Sequence, residues 1–454
     1  MSAAGSMAAG GGRRAWVVDV EKTLKDADTS VEVSLWQRHC IYRVPACIKD
    51  LNPKAYRPQV VSLGPFHHGD PELRPMEEHK RRALRHLLRR AARPLEEFAA
   101  AVEDAADRLE SAYMDLGAEW RGAGGRERFV EMMIVDGCFL LEVMRVAGAA
   151  GKHVDDYAPN DPIFSHHGVL YMMPYIRRDM LMLENQLPLL LLETLVAVET
   201  EKPPANDFIN RMVLRFLSPS SPLLHGAGLA LHPLDVYRRS MLYRQRRPRR
   251  SSSDVQDIIR SVVVLRAAGI QFETSTTDSL RDIRFQRGVL SMPPVAVDDS
   301  TEYMFLNMMA FERLHVGAGN DVTAYVFFMG NIIHSAQDVA LLSSMGIIQN
   351  AVGTDGEVAK LFKRISKDIV LEPDSTLDVV QGQVAAYCRE PWRVFRAKIV
   401  LTDRYFKNNP WALPSLTSVV VVLVATVLQT VFTLLQFFKD NGNGSPAAPA
   451  PNPK

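Results

Sequence analysis

The sequence predicts a mainly α-helical protein: a large helical body with a minor antiparallel β element, followed by one C-terminal transmembrane helix. Three observations predict this class. Apolar residues recur at helical spacing over most of the chain, short β-like runs are confined to about 270–295, and residues 416–438 contain no charged side chain.

Composition sets limits on function. The chain has 454 residues, of which 47% are hydrophobic and 23% charged, so there is enough apolar material for a sizeable core. The 53 Lys and Arg against 52 Asp and Glu leave a net charge of +1, which argues against a nucleic-acid partner. The four cysteines are too scattered for a disulfide framework or a zinc site, and no cofactor is expected.

The N-terminal half begins with a small-residue, Gly-rich stretch over 1–14, which we expect to be disordered. A Pro-rich segment over 41–66 reads as extended or turn structure. A long amphipathic helical pattern follows from about Glu77, and Pro94 should break it and open a new helix. The helical N-terminal half is placed at 41–245.

Two strongly apolar stretches complete this half. Residues 129–146 are apolar almost all round, which predicts a buried helix, and 177–198 predict a pair of helical turns around Pro188. A basic, Ser-ending linker over 246–254 marks the boundary to the C-terminal half.

The C-terminal half, 255–407, is predicted to be α with a small β element. The runs "IQFETS", "DIRFQ" and "GVLSMPPV" predict an antiparallel meander. The stretch "AYVFFMGNIIHSAQDVALLSSMG" predicts one long helix, and "DGEVAKLFKRISKDI" predicts another.

The closing segment, 416–438, is long enough as a helix to span roughly 34 Å, more than a ~30 Å hydrocarbon layer. The basic residues Arg396, Lys398, Arg404 and Lys407 precede it, and only a short tail over 439–454 follows. The positive-inside rule therefore places the body in the cytosol, as in a single-pass tail-anchored protein. A buried core helix of a soluble protein is the alternative.

Polar residues within this segment share one helical face. Such a stripe can hydrogen-bond a partner helix in lipid, which predicts homo- or hetero-association, or its hydroxyls can bond back to their own helix. The face consists of Thr426, Gln429, Thr430, Thr433 and Gln436.

Chemistry-bearing residues are sparse. His67, His68 and Asp70 lie in the turn "PFHHGD" and could form a metal or acid–base cluster; exposed or backbone-bonded histidines are the alternative. Carboxylates and amides in apolar helices need partners, and cations such as Arg43, Arg57 and Arg178 are available. We interpret them as structural buried polar groups: Asp136, Asp179, Glu184, Asn185, Gln186, Glu312 and Asp338. In "LENQLP" we expect Glu184, Asn185 and Gln186 to hydrogen-bond neighbouring loop backbone.

Several long blocks resemble one plant family. They include "YRPQVVSLGPFHHGDPELRPMEEHK", "DGCFLLEVM", "RRDMLMLENQLPLLLL" and "DIRFQRGVLSMPPVAVDDSTEYMFLNMMAFE", in the order that the family shows. The chain resembles the domain of unknown function 247 family (UPF 0481-like proteins) from about 41 to 438. The resemblance implies a plant protein with a helical cytosolic body and a C-terminal membrane segment, and it supplies no catalytic residues.

These observations predict a membrane-anchored interaction, signalling or recognition component that faces the cytosol. Its partners would be the lipid bilayer and unidentified proteins, and the sequence leaves plasma membrane and endoplasmic reticulum open. An uncharacterised enzyme that uses His67, His68 and nearby carboxylates is the alternative.

Overall fold

A computed structural model describes residues 16–17, 33, 36–50, 52–148, 156–219, 226, 228–243, 259–367, 369, 376–408 and 412–442, with the side chains of 123, 376, 401–408, 412–416 and 438–442 left aside. The predicted disordered N-terminus (1–14), the basic linker (246–254) and the end of the tail (443–454) lie outside these residues.

Helices dominate the described chain, as the sequence predicts. The N-terminal half contains α1 (Ala46–Lys49), a 3₁₀ turn (Pro53–Tyr56), α2 (Pro75–Ala91), α3 (Leu95–Glu110), a 3₁₀ turn (Ala118–Trp120), α4 (Ala123–Gly148), α5 (His166–Tyr171), α6 (Met173–Asp179), α7 (Leu189–Thr200), α8 (Phe208–Leu217) and α9 (Pro233–Met241).

The C-terminal half adds helices and five short strands. In chain order they are α10 (Val262–Ala267), β1 (Gln271–Thr274), β2 (Arg284–Gln286), β3 (Val289–Met292), β4 (Val295–Val297), α11 (Thr301–Leu314), α12 (Asp321–Ile332), α13 (Ala336–Ser344), β5 (Ile348–Asn350), α14 (Asp355–Ile365), α15 (Thr376–Arg389), α16 (Pro391–Asn408) and α17 (Ala412–Gly442).

The first apolar core is built around α4, which packs against α2, α3, α7 and α8. The 129–146 part of α4 is apolar almost all round and mostly buried, which explains its central place. Gly137 allows α7 to approach closely, since a Cβ there would lie 2.5 Å from Leu195 Cδ1. The predicted break near Pro94 separates α2 from α3, and Ala92 adopts a left-handed conformation between them.

The second apolar core surrounds α11 and α12, with α14 and the strands packed beside them. The two cores share part of the chain: Cys40 and Ile41 belong to the first, while Tyr42 and Val44 belong to the second. Because neighbouring residues of one extended segment enter different cores, this segment joins the two halves directly.

The predicted antiparallel meander is only half correct. β2 and β3 form an antiparallel hairpin around Arg287 and Gly288, both with positive φ, but β1 pairs with β3 in parallel. The 275–283 connection is too long for a hairpin turn and carries the chain across the sheet, so the strand order is β1-β3-β2. A second parallel pair joins β4 to β5.

Two helix predictions were wrong in detail. The predicted long helix over 324–346 is divided, because Ser335 and Asp338 form a capping box that begins α13 after α12 has ended at Ile332. The stretch before Pro188 is also not helical: α6 ends at Asp179, and 181–187 is an irregular segment.

The last helix, α17, differs from all the packed helices. Within the described part of the chain it alone is long and apolar enough to cross a membrane, with a mean hydropathy of 2.4 over Thr417–Phe437. None of that window is buried against the rest of the protein. Its apolar side chains therefore have no protein surface to cover them.

Candidate functional site

Most of the polar residues predicted from the sequence lie around one irregular segment, 57–66, which crosses the first core without forming a helix or strand. Asp179, at the end of α6, is fully buried. Its carboxylate accepts hydrogen bonds from the backbone N–H groups of Gln59 (3.1 Å), Val60 (2.7 Å) and Val61 (2.9 Å). Burial raises the pKa of Asp179, and these three donors oppose that rise.

The side-chain amides of "LENQLP" also hydrogen-bond to the backbone of buried irregular segments. Asn185 accepts from Leu63 N (2.7 Å) and donates to Val61 O (3.0 Å). Gln186 donates to the carbonyls of Met180 and Met182, which gives the irregular segment before Pro188 its turn. These side chains satisfy backbone groups that would otherwise be buried without partners, which explains why a helix does not form there.

A buried ion pair closes the other side of the segment. Lys80 is fully buried on α2, and its Nζ lies 2.7 Å from Asp136 Oδ1 on α4. The same ammonium contacts Glu77 (2.6 Å) and donates to Ser62 Oγ (3.1 Å), while Asp136 Oδ2 accepts from Gly64 N (2.9 Å). We call Lys80, Asp136, Asp179 and Asn185 the polar clasp. Burial raises the pKa of Asp136, and Lys80 opposes that rise.

Glu184 extends from the next turn toward the N-terminal segment. It accepts from Val44 N (2.5 Å), lies 2.7 Å from Lys49 Nζ, and lies 3.6 Å from His67 Nε2. Burial works to raise its pKa, but His67 and Lys49 outweigh it and hold the pKa of Glu184 below its ordinary value. Glu184 therefore ties the 40–49 segment to the clasp.

The structure does not bring the predicted metal or acid–base cluster together. His67 points inward to Glu184, while the exposed His68 packs edge-on against Trp120, with ring centroids 5.3 Å apart. Asp70 accepts from Arg57 Nη2 (3.1 Å), outside both. Among the residues described, no group of three His, Cys, Asp or Glu is placed to hold a metal ion.

The two remaining predicted groups lie in the C-terminal half. Glu312 on α11 lies 2.6 Å from Arg238 on α9, and it also accepts from Val322 N and Thr323 N at the start of α12. Asp338 accepts from Ser335 N at its own helix start (3.0 Å) and from Val263 N (2.9 Å), which fixes α10 against α13. Both carboxylates join helix ends to neighbouring elements.

The cations that complete these sites differ from those expected. Lys80, Lys49 and Arg238 provide the pairs, while Arg43 and Arg178 lie over the rings of Phe66 and Tyr303. A signal for Lys80 is present in the sequence. It falls in register with Met76, Ala83 and Leu87 on the buried face of α2, at helical spacing, so a lysine there must find a buried anion.

The predicted polar face of α17 is exposed, and its hydroxyls are satisfied locally. Thr426, Thr430 and Thr433 donate to the carbonyl oxygens four residues earlier, each at 2.8 Å. This leaves the exposed amides of Gln429 and Gln436 as the side chains of this face able to bond a partner helix.

The polar groups of the clasp are already bonded within the protein. Its carboxylates and amides are occupied by backbone N–H groups and one buried ammonium, so it holds chain segments rather than presenting groups to a ligand. A cleft of about 470 Å³ lies elsewhere, between the α10–β1 connection and α16, and Arg266, Gly269, Glu273 and Arg396 are among its lining residues.

Comparison with known proteins identifies plant relatives over most of the chain. The chain is 32% identical over 450 residues to the UPF0481 protein At3g47200 of Arabidopsis thaliana, covering 90% of this chain and 89% of that protein. It is 22% identical over 523 residues to a second UPF0481 protein of the same plant, At3g02645, covering 92% and 94%. No solved structure matches. The family DUF247, described as plant protein of unknown function, matches residues 41–425, and the chain belongs to this family.

Proposed function

We propose that this protein is a single-pass membrane protein in which α17 is the anchor and the helical body faces the cytosol. The carrying observation is the complete exposure of an apolar helix. Its window Thr417–Phe437 has a mean hydropathy of 2.4 and no buried part. Water would hydrate its 14 apolar side chains unfavourably, whereas a hydrocarbon layer would not.

The proposed orientation follows from charge. Arg396, Lys398, Arg404 and Lys407 precede α17, while Lys439 beyond it is balanced by Asp440. Basic residues near a span remain on the cytoplasmic side, so the body stays in the cytosol.

We propose an interaction or signalling role for the body rather than catalysis. The buried titratable groups of the first core hold the 57–66 segment and the 40–49 segment in place. His67 and His68 point in different directions, so they do not share a substrate site. A rigid helical body on a membrane anchor suits the assembly of proteins at a cytosolic surface.

The anchor is tested by expressing the full chain, tagged at both ends, in plant cells. The protein should remain in the membrane pellet after alkaline carbonate extraction. In intact microsomes, protease should remove the N-terminal tag and spare the C-terminal tag. A protected N-terminal tag would reverse the topology, and full release by carbonate would refute the anchor.

A matched pair of variants isolates α17. Val424→Arg places a charge at the middle of the span, at a cost of about 2.5–3.5 kcal/mol for insertion, and should shift protein to the soluble fraction. Val316→Arg makes the same change at a body position that is 95% exposed and should leave the distribution unchanged. Equal behaviour of the two variants would contradict the proposal.

The interaction role has its own test. Proximity labelling from the body should identify the same cytosolic proteins with the wild type and with Val316→Arg, and lose them with Val424→Arg. A labelled set that is indifferent to Val424→Arg would show that partner binding does not depend on the membrane.

A further inference from the structure

The helix that precedes the anchor, α16, has an apolar face that the body does not cover. Trp392, Phe395 and Ile399 follow one another at steps of three and four, so they share one side of the helix. Their exposed fractions are 69%, 55% and 51%. Arg393 and Ala397, on the opposite side, are half-buried where α16 packs against α10 and α15.

The position of this face is restricted by the anchor. Three residues separate Asn408, the last of α16, from Ala412, the first of α17. A chain of that length reaches about 15 Å at most, so the end of α16 stays close to the start of the span. An apolar helix face with Trp at one end and basic neighbours is the pattern of helices that lie in the membrane interface.

A basic cleft adjoins the same helix. Arg266 and Arg396 are exposed and line it together with Gln271 and Glu273. Gly269, with φ of +99°, lets the Arg396 guanidinium sit close to the backbone, because a Cβ there would lie 2.6 Å from its Nη1. No carboxylate is within ion-pair distance of either guanidinium among the side chains that the structure describes. Two such arginines match the charge and hydrogen-bonding geometry of a lipid phosphate.

We propose that α16 lies on the cytosolic leaflet, with its Trp392–Phe395–Ile399 face among the acyl chains and Arg266 and Arg396 on anionic lipid headgroups. This deepens the proposed function and rests on it, since α17 brings α16 to the bilayer. The docked helix fixes how the body is tilted on the membrane. Membrane charge then controls which of its surfaces face cytosolic partners.

The test uses the full chain in nanodiscs of phosphatidylcholine, alone or mixed with phosphatidylserine. An environment-sensitive fluorescent amino acid replaces Ile399, and in a matched control it replaces Val316, which is 95% exposed on the body. In the mixed nanodiscs the probe at 399 should emit at shorter wavelength and be quenched by lipids that carry a nitroxide on the acyl chain. The probe at 316 should show neither effect.

Charge is tested separately. The double change Arg266→Gln and Arg396→Gln should lower the docked-to-undocked ratio in mixed nanodiscs by about fivefold per arginine and have no effect in phosphatidylcholine alone. High salt should reproduce the loss. Arg215→Gln is the control, an exposed arginine on α8, which packs against α4, α7 and α9.

Three outcomes would overturn the inference while leaving the anchor in place. A water-like emission at 399 in a protein that has inserted into mixed nanodiscs would refute docking. Blue-shifted emission without nitroxide quenching, with cross-links between chains, would assign the face to a second copy. Insensitivity to lipid charge would remove the headgroup site. Whether α17 inserts at all is measured separately, by co-migration of the protein with nanodiscs. Loss of co-migration would overturn the inference together with the anchor.

Discussion

Removing the buried ammonium of the polar clasp should destabilise the body strongly. In Lys80→Met, Asp136 loses a partner at 2.7 Å and keeps one backbone donor, Gly64 N at 2.9 Å. Both side chains of the pair are at most 1% exposed, so water cannot replace the ammonium. Leaving one member of a buried pair alone costs about 3–5 kcal/mol, and methionine keeps most of the side-chain volume, so little of this arises from a cavity.

The assay is urea unfolding of the full chain in mild detergent, followed by circular dichroism. Lys54→Met is the control: Lys54 is exposed, and its loss should change the free energy of unfolding by less than about 0.5 kcal/mol. Adding Asp136→Asn to Lys80→Met should recover part of the loss, because a neutral amide still accepts from Gly64 N. A Lys80→Met penalty below about 1 kcal/mol, or no recovery in the double variant, would refute the buried pair.

The same variant should acquire a characteristic pH dependence. Burial already raises the pKa of Asp136, and the loss of Lys80 removes what opposes that rise. A carboxyl whose folded-state pKa lies above its unfolded value binds its proton more tightly in the folded state. Stability is then greatest at low pH and falls as pH rises through the folded-state pKa. The Lys80→Met penalty should therefore be smaller at pH 5 than at pH 7, a range chosen to lie above the ordinary Asp pKa of about 3.9.

Three further predictions follow from single sites. Gly64→Ala should lower the free energy of unfolding by more than about 2 kcal/mol, because φ is +75° and a Cβ would lie 2.9 Å from a backbone carbonyl oxygen. Gly69→Ala, with φ of +82° and no atom within 4 Å of the added Cβ, should lower it by about 1 kcal/mol in the same urea assay. Burial lowers the pKa of His232 from 6.5 to about 4, so stability is full above pH 6.5 and falls by about 3 kcal/mol as pH drops to 4; His232→Gln should flatten that fall, and an unchanged slope would contradict it. Gln429→Leu with Gln436→Leu should reduce self-association of labelled chains in nanodiscs, measured by energy transfer, by about 1 kcal/mol or less per residue, and unaltered transfer would leave the α17 face without a role.

Sequence patterns predicted the elements whose periodicity is strong and local. The apolar 129–146 part of α4 and the break between α2 and α3 at Pro94 are examples, because burial and proline sterics act within a few residues. The division of the predicted long helix at Ser335 was missed although its S-x-x-D capping signal is present. The hydrophobic pattern continues across the break, so periodicity alone does not show where the helix ends.

The β element shows a different limit. The alternation in β2 and β3 and the Arg287-Gly288 turn predict a hairpin, which the structure contains. The parallel pairing of β1 with β3 depends on the path of the 275–283 connection, and no residue pattern within β1 specifies it. Tertiary packing sets the direction of β1 here. A prediction from local sequence therefore chose antiparallel pairing, which is the commoner arrangement.

For the candidate site too, local features were predictable from the sequence and long-range contacts were not. Burial of a polar residue follows from its place in an apolar stretch, but the identity of its partner does not, because Lys80 and Asp136 are brought together only when α2 packs on α4. Asp179 relies mainly on backbone N–H groups more than 100 residues away, and the predicted cation Arg178 adds only a weaker electrostatic contribution. Local reasoning therefore named the groups and predicted the backbone hydrogen bonds of Glu184, Asn185 and Gln186. It did not predict that Lys80 pairs with Asp136 or that backbone N–H groups satisfy Asp179.

The irregular backbone of the 57–66 segment explains why buried polar side chains bond to it. A chain that crosses a core without a helix or a ladder leaves its N–H groups unsatisfied unless side chains accept from them. Asp179, Asn185 and Asp136 accept from five of these groups, those of 59, 60, 61, 63 and 64. Glu184 accepts from Val44 N on the segment that joins the two cores. Carboxylates placed for this purpose have their oxygens engaged and are held away from solvent, which is the opposite of what a general base requires. In the sequence these buried polar residues could be taken for active-site groups. Their contacts explain them better as side chains that satisfy the backbone of a non-helical segment buried inside a helical body.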